Sequence, residues 1–394
     1  MKIPITKPYF TKQDKEIIQR PLQSGWVVQG PYVKELEQKY CEFTGSSYAV
    51  AMNSCTSTQF VASRCIDLKP EDEVVVPAFT WISTANSIEY LGAKPVFADI
   101  NIDTFNIDAK KIEEKIISKT KAIYPVALFG LCANMEKISK IAKKHSLKII
   151  EDAACSLGSR IKNKHCGTFG ECGCFSMHPR KSITTGEGGI LITDNKEIAD
   201  MAASLRDHGA DRTDLERHNQ NKGFLLPEYK YLGYNYRLTD IQAALGVAQF
   251  NKLEEIIKKR RKIAKIYDQE LNDSVLKTPH IPEDYFHSYQ SYVCFYKYEE
   301  FINAMQNKKY KRIDKLNKQR NNFMLKLQKK GIATRQGTHA VHIQKYYKNK
   351  YSIDKFDYPF SYAADRLTVS LPLYPQMTKE EQEYVINGIK ECAE

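Results

Sequence analysis

The strongest constraint on this chain is an alternation. Across residues 51–200, short β-rich runs at 73–76, 96–100, 122–126, 148–152, 173–177 and 189–193 are separated by stretches with helical apolar spacing, as in Met135, Ile138, Ile141 and Ala142. Such alternation builds βα units around a mostly parallel sheet with helices on its faces, so the expected fold class is α/β. Parallel sheets offer ligands the carboxyl ends of their strands, which makes the polar residues just after these runs the first candidates for chemistry.

Beyond Arg206 the pattern gives way to a polar stretch reaching Gly233, then resumes with a helix over about 239–261. The remainder holds a Lys-rich helix near 303–330, strand candidates at 291–296 and 367–371, and a final helix after Thr378. The expected organisation is an N-terminal arm with a large domain over 1–255 and a smaller α+β domain over 256–394. A chain of 394 residues with 42% hydrophobic content is long enough for both.

No apolar run approaches the ~18 residues of a membrane span, and the N-terminus lacks the apolar segment of an export signal. A cytoplasmic protein is expected, with its ten cysteines as thiols, most of them small buried hydrophobes. The net charge of +12 invites a nucleic-acid reading. The excess is spread along the chain, however, and its densest clusters, 258–262 and 308–312, fall in helix-like patterns. A solvated or phosphate-attracting face is expected there, and no nucleic-acid partner.

Four segments carry candidate chemistry. Lys181 lies in a polar, glycine-rich turn after the run 173–177; it could form a Schiff base if its surroundings keep the amine partly neutral, or be a loop lysine at the surface. Asp152 ends the run 148–152, where a buried carboxylate needs a cation such as a protonated pyridine nitrogen; a helix N-cap is the alternative. Ser54, Cys55 and Thr56 open a helical pattern, and a helix start is an anion site suited to phosphate as well as a cap. Trp81, just after the run 73–76, could stack on a flat ring or sit in the core. An amine, a carboxylate, an anion cradle and a stacking surface together make the set of contacts that pyridoxal phosphate requires. A competing cluster, His165, Cys166, Cys172, Cys174 and His178, spans fourteen positions, but Cys172 and Cys174 are too tightly spaced for a usual zinc pair, and no metal is expected.

These segments resemble the DegT/StrS family of sugar aminotransferases, pyridoxal-phosphate enzymes of fold type I (aspartate aminotransferase-like). The resemblance runs from Pro8 to residues 371–375. It implies that Lys181, in the pattern Phe175, Ser176, His178, Lys181 followed by Thr185 to Gly189, carries the cofactor's aldehyde, that Ser176 binds its phosphate and that Asp152 faces its pyridine nitrogen. Trp81 falls on the family's stacking aromatic. Cys55 stands where the family's phosphate turn has glycine, so an ordinary backbone conformation is expected there. Cys155 stands where many relatives place Gln or His near the cofactor's ring oxygen, and a thiol is a weak hydrogen-bond partner.

Asn235, in the segment 233–239, matches an asparagine that reaches the neighbouring subunit's phosphate, which implies a homodimer with shared active sites. Trp26 lies in a segment similar to the border of the family's sugar-nucleotide pocket, and 331–342 is similar to perosamine-synthase-like members. Arg335 is thereby assigned to a diphosphate or a donor carboxylate, and His178 and His339 to substrate. The implied activity is transfer of an amino group from glutamate to a nucleotide-linked 4-keto-6-deoxy sugar for polysaccharide or glycan synthesis, with 3-amination as the alternative. A 3-dehydratase relative lacks the lysine. A cysteine desulfurase shares the fold type, but no thiol here lies on a recognisable mobile-loop motif. A basic DNA-binding regulator would account for the charge, yet no helix-turn-helix pattern stands out.

Overall fold

Seven strands form the central sheet of the computed structural model, which describes residues 1–213, 215, 218 and 226–393. They are β1 (Tyr48–Met52), β2 (Glu73–Pro77), β3 (Lys94–Ala98), β4 (Thr120–Ile123), β5 (Lys148–Asp152), β6 (Cys172–Ser176) and β7 (Gly189–Thr193), in the order β1-β7-β6-β5-β4-β2-β3. All neighbours from β3 to β6 pair in parallel, and only β7 runs against its two partners. The α/β expectation is met. Strands covered on both faces read as unbroken apolar runs, as Val74, Val75 and Val76 do, all fully buried.

Two strands begin and end at least two residues earlier than expected. β4 stops at Ile123, ahead of Pro125, which has no N–H to give the ladder; β3 tolerates Pro95 because it lies at the sheet edge. β1 has no counterpart among the expected runs. Its alanines, Ala49 and Ala51, have little strand preference, and it is held by five residue pairs with β7 and by Arg206, which donates to the Ala51 carbonyl at 2.8 Å.

The reversal of β7 brings the start of one strand beside the ends of its neighbours. Gly189, its first residue, pairs with Ser176, the last of β6, so the start of β7 shares one sheet edge with the ends of β5 and β6. β1 ends on that edge too, where Met52 pairs with Gly189, and leads through Asn53 and Ser54 into helix Cys55–Cys65.

A second, antiparallel sheet joins β8 (Leu276–Lys277), β9 (Tyr292–Tyr296) and β10 (Thr368–Leu371). Helices Leu253–Glu270, Arg312–Lys329 and Lys379–Ala393 pack on it around Tyr267, Tyr292, Leu327 and Val385, with Ile3 from the N-terminal segment in the same cluster. The single helix expected over 239–261 is two, Asp240–Phe250 and Leu253–Glu270. At the break, the buried amine of Lys252 turns onto the carboxylate of Asp14. The Lys-rich helix near 303–330 is likewise two, Tyr298–Gln306 and Arg312–Lys329. Part of the expected polar stretch 206–233 lies outside the described residues.

The basic run 258–262 is not simply a solvated face. Arg260 is buried and donates to the carbonyls of Tyr289 and Gln290 at 3.2 and 2.6 Å, and Arg261 donates to the His287 carbonyl at 2.7 Å. The cysteines also depart from expectation in one pair: Cys132 and Cys166, 34 positions apart and both buried, form a disulfide. Their Cα atoms come within 5.9 Å because the 3-10 turn Leu128–Gly130 and the hairpin Arg160–His165 lie side by side, a proximity that no spacing in the sequence encodes. Cys172 and Cys174 share one face of β6 and pack in the apolar core with Ile150 and Leu191. Among the described residues no three His, Cys, Asp or Glu side chains are grouped to hold a metal ion, and no helix is long and apolar enough to cross a membrane.

Candidate active site

Lys181 is set by the loop between β6 and β7. Its N–H donates to the His178 carbonyl at 2.8 Å, while Thr185 N–H and the Thr184 hydroxyl both close on the Met177 carbonyl, at 3.0 and 2.9 Å, folding the chain back toward Gly189. Arg260 reaches the Lys181 carbonyl at 3.4 Å. The side chain turns into the sheet edge, where Nζ donates to Sγ of Cys155 at 3.0 Å. Burial pushes the amine's pKa down, but Cys155, Cys55 and Asp152 together outweigh it and hold the amine above its ordinary value. The partly neutral amine expected for Schiff-base chemistry is therefore not what these neighbours provide.

Asp152 ends β5, buried, opposite Cys174 of β6. Its Oδ2 accepts from the Thr84 hydroxyl at 2.6 Å and its Oδ1 from Ala154 N–H at 3.1 Å. Burial raises its pKa despite these donors, the signature of a carboxylate that lacks a full counter-charge.

The third part is the start of helix Cys55–Cys65. Ser54 caps it, its hydroxyl accepting from Ser57 N–H at 3.1 Å, and Cys55 is its first residue. Cys55 is absent from the residues with positive φ, so the ordinary backbone expected there is what the chain adopts. The glycine needed at this crossing is Gly189 instead. A Cβ on it would lie 2.5 Å from Cys55 N and from the Ser54 carbonyl, so β7 approaches the helix start only without a side chain. Ser176 completes this end, its hydroxyl accepting from His178 N–H at 3.4 Å.

A cavity of about 470 Å³ joins these parts and brings together Cys55, Thr56, Trp81, Asp152, Cys155, Ser176, His178, Lys181 and Arg335. Trp81 is not core: it is 52% exposed at the rim, its ring 5.8 Å from that of His339, which pairs with Thr80 and stands outside the lining. Burial pushes His178 below its ordinary pKa, and its Nδ1 accepts from Arg180 N–H at 3.2 Å. Arg335 is fixed by a backbone bridge to Ser370 of β10, and burial with Arg180 nearby lowers its pKa. Trp26 lies elsewhere, its indole donating to the Gln29 carbonyl at 3.1 Å, and Asn235 is exposed, bridged to Asp207, outside the cavity of its own chain. A larger groove, about 1120 Å³, lies beside helix Lys196–Arg206 and contains none of the sequence-predicted residues.

Three contributors had no role assigned from the sequence: Thr84, Gly189 and Arg180. Thr80 and Thr84, 3.1 Å apart and four residues apart in sequence just after β2, were the available signal for the first.

An amine, a buried, under-compensated carboxylate, a capped helix start and hydroxyls lining one cavity fit pyridoxal phosphate by charge and by the chemistry of their donors. The model of the DegT/DnrJ/EryC1/StrS aminotransferase family matches residues 8–390. The chain belongs to this family. It is 36% identical over 98% of its length to the protein MJ1066 of Methanocaldococcus jannaschii, covering 97% of that protein. It is 33% identical over 99% of its length to the spore coat polysaccharide biosynthesis protein SpsC of Bacillus subtilis, covering 96% of it. The structure of Spr1654 of Streptococcus pneumoniae in its pyridoxal-phosphate form superposes with a TM-score of 0.88 at 28% identity, covering 100% of this chain and 99% of that one. This aminotransferase is pyridoxal-phosphate dependent, with the fold-type-I architecture of its relatives.

Proposed function

We propose that this aminotransferase moves an amino group from glutamate to a nucleotide-linked 4-keto-6-deoxy sugar, yielding a 4-amino sugar for a surface polysaccharide or glycan. The observation that carries the reading is the meeting of Lys181 Nζ, Asp152 and the helix start at Ser54 to Thr56 in one cavity, in a chain related to a polysaccharide biosynthesis protein.

Bound pyridoxal phosphate supplies an electron sink that makes a Cα proton acidic. The rest falls to the chain's own residues. Lys181 would anchor the cofactor and, once freed, its amine would carry the proton to and from the donor's Cα. Asp152, held by Thr84 and Ala154 N–H, keeps the ring nitrogen protonated. The Ser54 and Thr56 end of the helix and Ser176 would hold the phosphate, with Cys55 offering its backbone N–H and Cys155 available to the ring. Trp81, at the rim of the cavity, would stack on the ring.

Arg335 and His178 meet the anionic parts of the substrates, since the carboxylates of glutamate and the diphosphate of a sugar nucleotide both ask for a guanidinium at the mouth. Trp26, Asn235 and His339 lie outside the cavity of their own chain, which suits a homodimer whose two sites are each completed by the partner subunit. We place the enzyme in the cytoplasm, with a large domain over 1–255 and a small one over 256–394.

The test is a panel of GDP-, UDP- and dTDP-linked 4-keto and 3-keto sugars offered with glutamate to the purified enzyme, the products read by mass and by NMR. Amination at C4 is expected. Amination at C3 only would replace the regiochemistry, and amination of no keto sugar would overturn the reading.

A further inference from the structure

The amine of Lys181 rests on a sulfur, and both ends of that contact are held by the backbone. Cys155 sits in the turn that leaves β5, where Ala153 N–H donates to the Cys174 carbonyl at 2.9 Å and Ser156 N–H to the Ala153 carbonyl at 3.0 Å. The same turn sends Ala154 N–H onto Asp152. Lys181 is fixed from the other side by the His178 carbonyl and by Arg260. Neither residue can leave the 3.0 Å Nζ···Sγ contact except by swinging its side chain into the cavity.

Sulfur is a soft, weak acceptor, and an ammonium donates to it more strongly than a neutral amine does, so the 3.0 Å contact favours the protonated lysine. The groups around the pair divide by charge. Asp152 is the carboxylate that faces the amine and Arg335 the guanidinium that faces Cys155, while the Cys55 thiol, which burial pushes up, and the His178 ring, which burial pushes down, stand beside the pair as neutral groups.

We propose that Cys155 is a positioning residue for Lys181, a dock on which the lysine amine rests whenever it is free, and which thereby governs how readily that amine engages the cofactor. This rests on the reading of Lys181 as the lysine that joins the cofactor. It gives Cys155 a task directed at the lysine, beyond lying beside the cofactor ring. The contact also bears on the direction of the Lys181 shift, because Cys155 is the foremost of the neighbours that raise it.

The dock can be tested without the cofactor. The full chain, freed of pyridoxal phosphate, is labelled with trace acetic anhydride across pH 6–11, digested, and the acetylation of the Lys181 peptide is read by mass spectrometry. Surface lysines such as Lys69 in the same sample serve as the reference. Only a neutral amine reacts, so a docked amine labels late. Cys155→Ala is expected to move the Lys181 profile to lower pH and to raise its labelling at pH 8 roughly three- to tenfold, with no change at the reference lysines. Cys155→Ser, a smaller perturbation of the turn, is expected to move it in the same direction. A shift confined to Lys181 in either variant supports the dock. Profiles that superimpose on the unmutated chain in both, or a shift shared by the surface lysines, overturn it. Mapping borohydride-fixed cofactor on the unmutated chain to some other lysine would instead overturn the role of Lys181, a separate result that the labelling neither requires nor imitates.

Discussion

Thr84 donates its hydroxyl to Oδ2 of Asp152 at 2.6 Å, with the hydroxyl of Thr80 a further 3.1 Å behind it. The pair forms a short relay, entirely buried, that orients the carboxylate ending β5. Thr84→Val keeps the shape and deletes the donor, leaving Asp152 without its hydroxyl partner. The loss of one hydrogen bond to a buried charge, about 1.5–3 kcal/mol, is expected to weaken pyridoxal-phosphate binding about ten- to a hundredfold. Thr84→Ser should restore it. Titration of the cofactor by absorbance checks both, and an unchanged Kd in the valine variant would reduce Thr84 to packing.

Lys181→Ala should abolish transamination and the near-violet absorbance of the loaded enzyme, and no cofactor should remain on the chain after borohydride treatment. Far-UV circular dichroism is expected to stay unchanged, because the lysine side chain lines a cavity and supports no core contact. Full transaminase activity in this variant would reject the assignment.

Gly189→Ala places a Cβ 2.5 Å from backbone atoms of Ser54 and Cys55, which have no freedom to turn aside. The strand or the helix start must move. A stability loss of about 1–3 kcal/mol is expected, read as a lower Tm, together with weaker binding of the cofactor's phosphate. Undiminished affinity in a folded variant would mean that the helix start is not the phosphate cradle.

What the sequence made legible were features carried by local pattern. The runs of β2, β5 and β7 are apolar because both faces of those strands are covered, Asp152 is the residue that ends β5, and Lys181 lies in the loop that follows β6, where a parallel sheet delivers side chains. What stayed hidden depends on partners far along the chain. β1 is a strand because β7 pairs with it, Arg260 is buried because the carbonyls of Tyr289 and Gln290 come to meet it, and Cys132 finds Cys166 across two unrelated turns. Gly189 is the sharpest case. As a glycine ending a glycine-rich turn it reads as turn chemistry, yet its lack of a side chain serves the approach of β7 to a helix start more than 130 residues earlier.

Two buried histidines set an acid limit. Burial pushes His342 down to about 4 and His287 down to about 3, from the ordinary 6.5, and Arg261 adds to the second. His287 accepts from Tyr289 N–H on Nδ1 at 2.8 Å and stacks on that tyrosine at 4.0 Å, an arrangement that needs the ring neutral. In the unfolded chain both rings take a proton near pH 6.5, while the folded chain refuses it until far lower pH. The stabilisation is therefore whole above about pH 6.5 and drains away as pH falls from there to the folded values, at up to about 1.4 kcal/mol per pH unit for each ring. Buried Asp99, Asp152 and Asp365, whose pKa values burial raises, work in the opposite sense at the acid end, so the histidine share must be read against a variant. His287→Asn retains an acceptor for Tyr289 N–H and removes one titrating group. Its Tm is expected to be lower than that of the unmutated chain at pH 7.5 but to fall less steeply between pH 6.5 and 4. Parallel Tm curves for the two proteins across that window would show that His287 is not one of the groups that limit stability in acid.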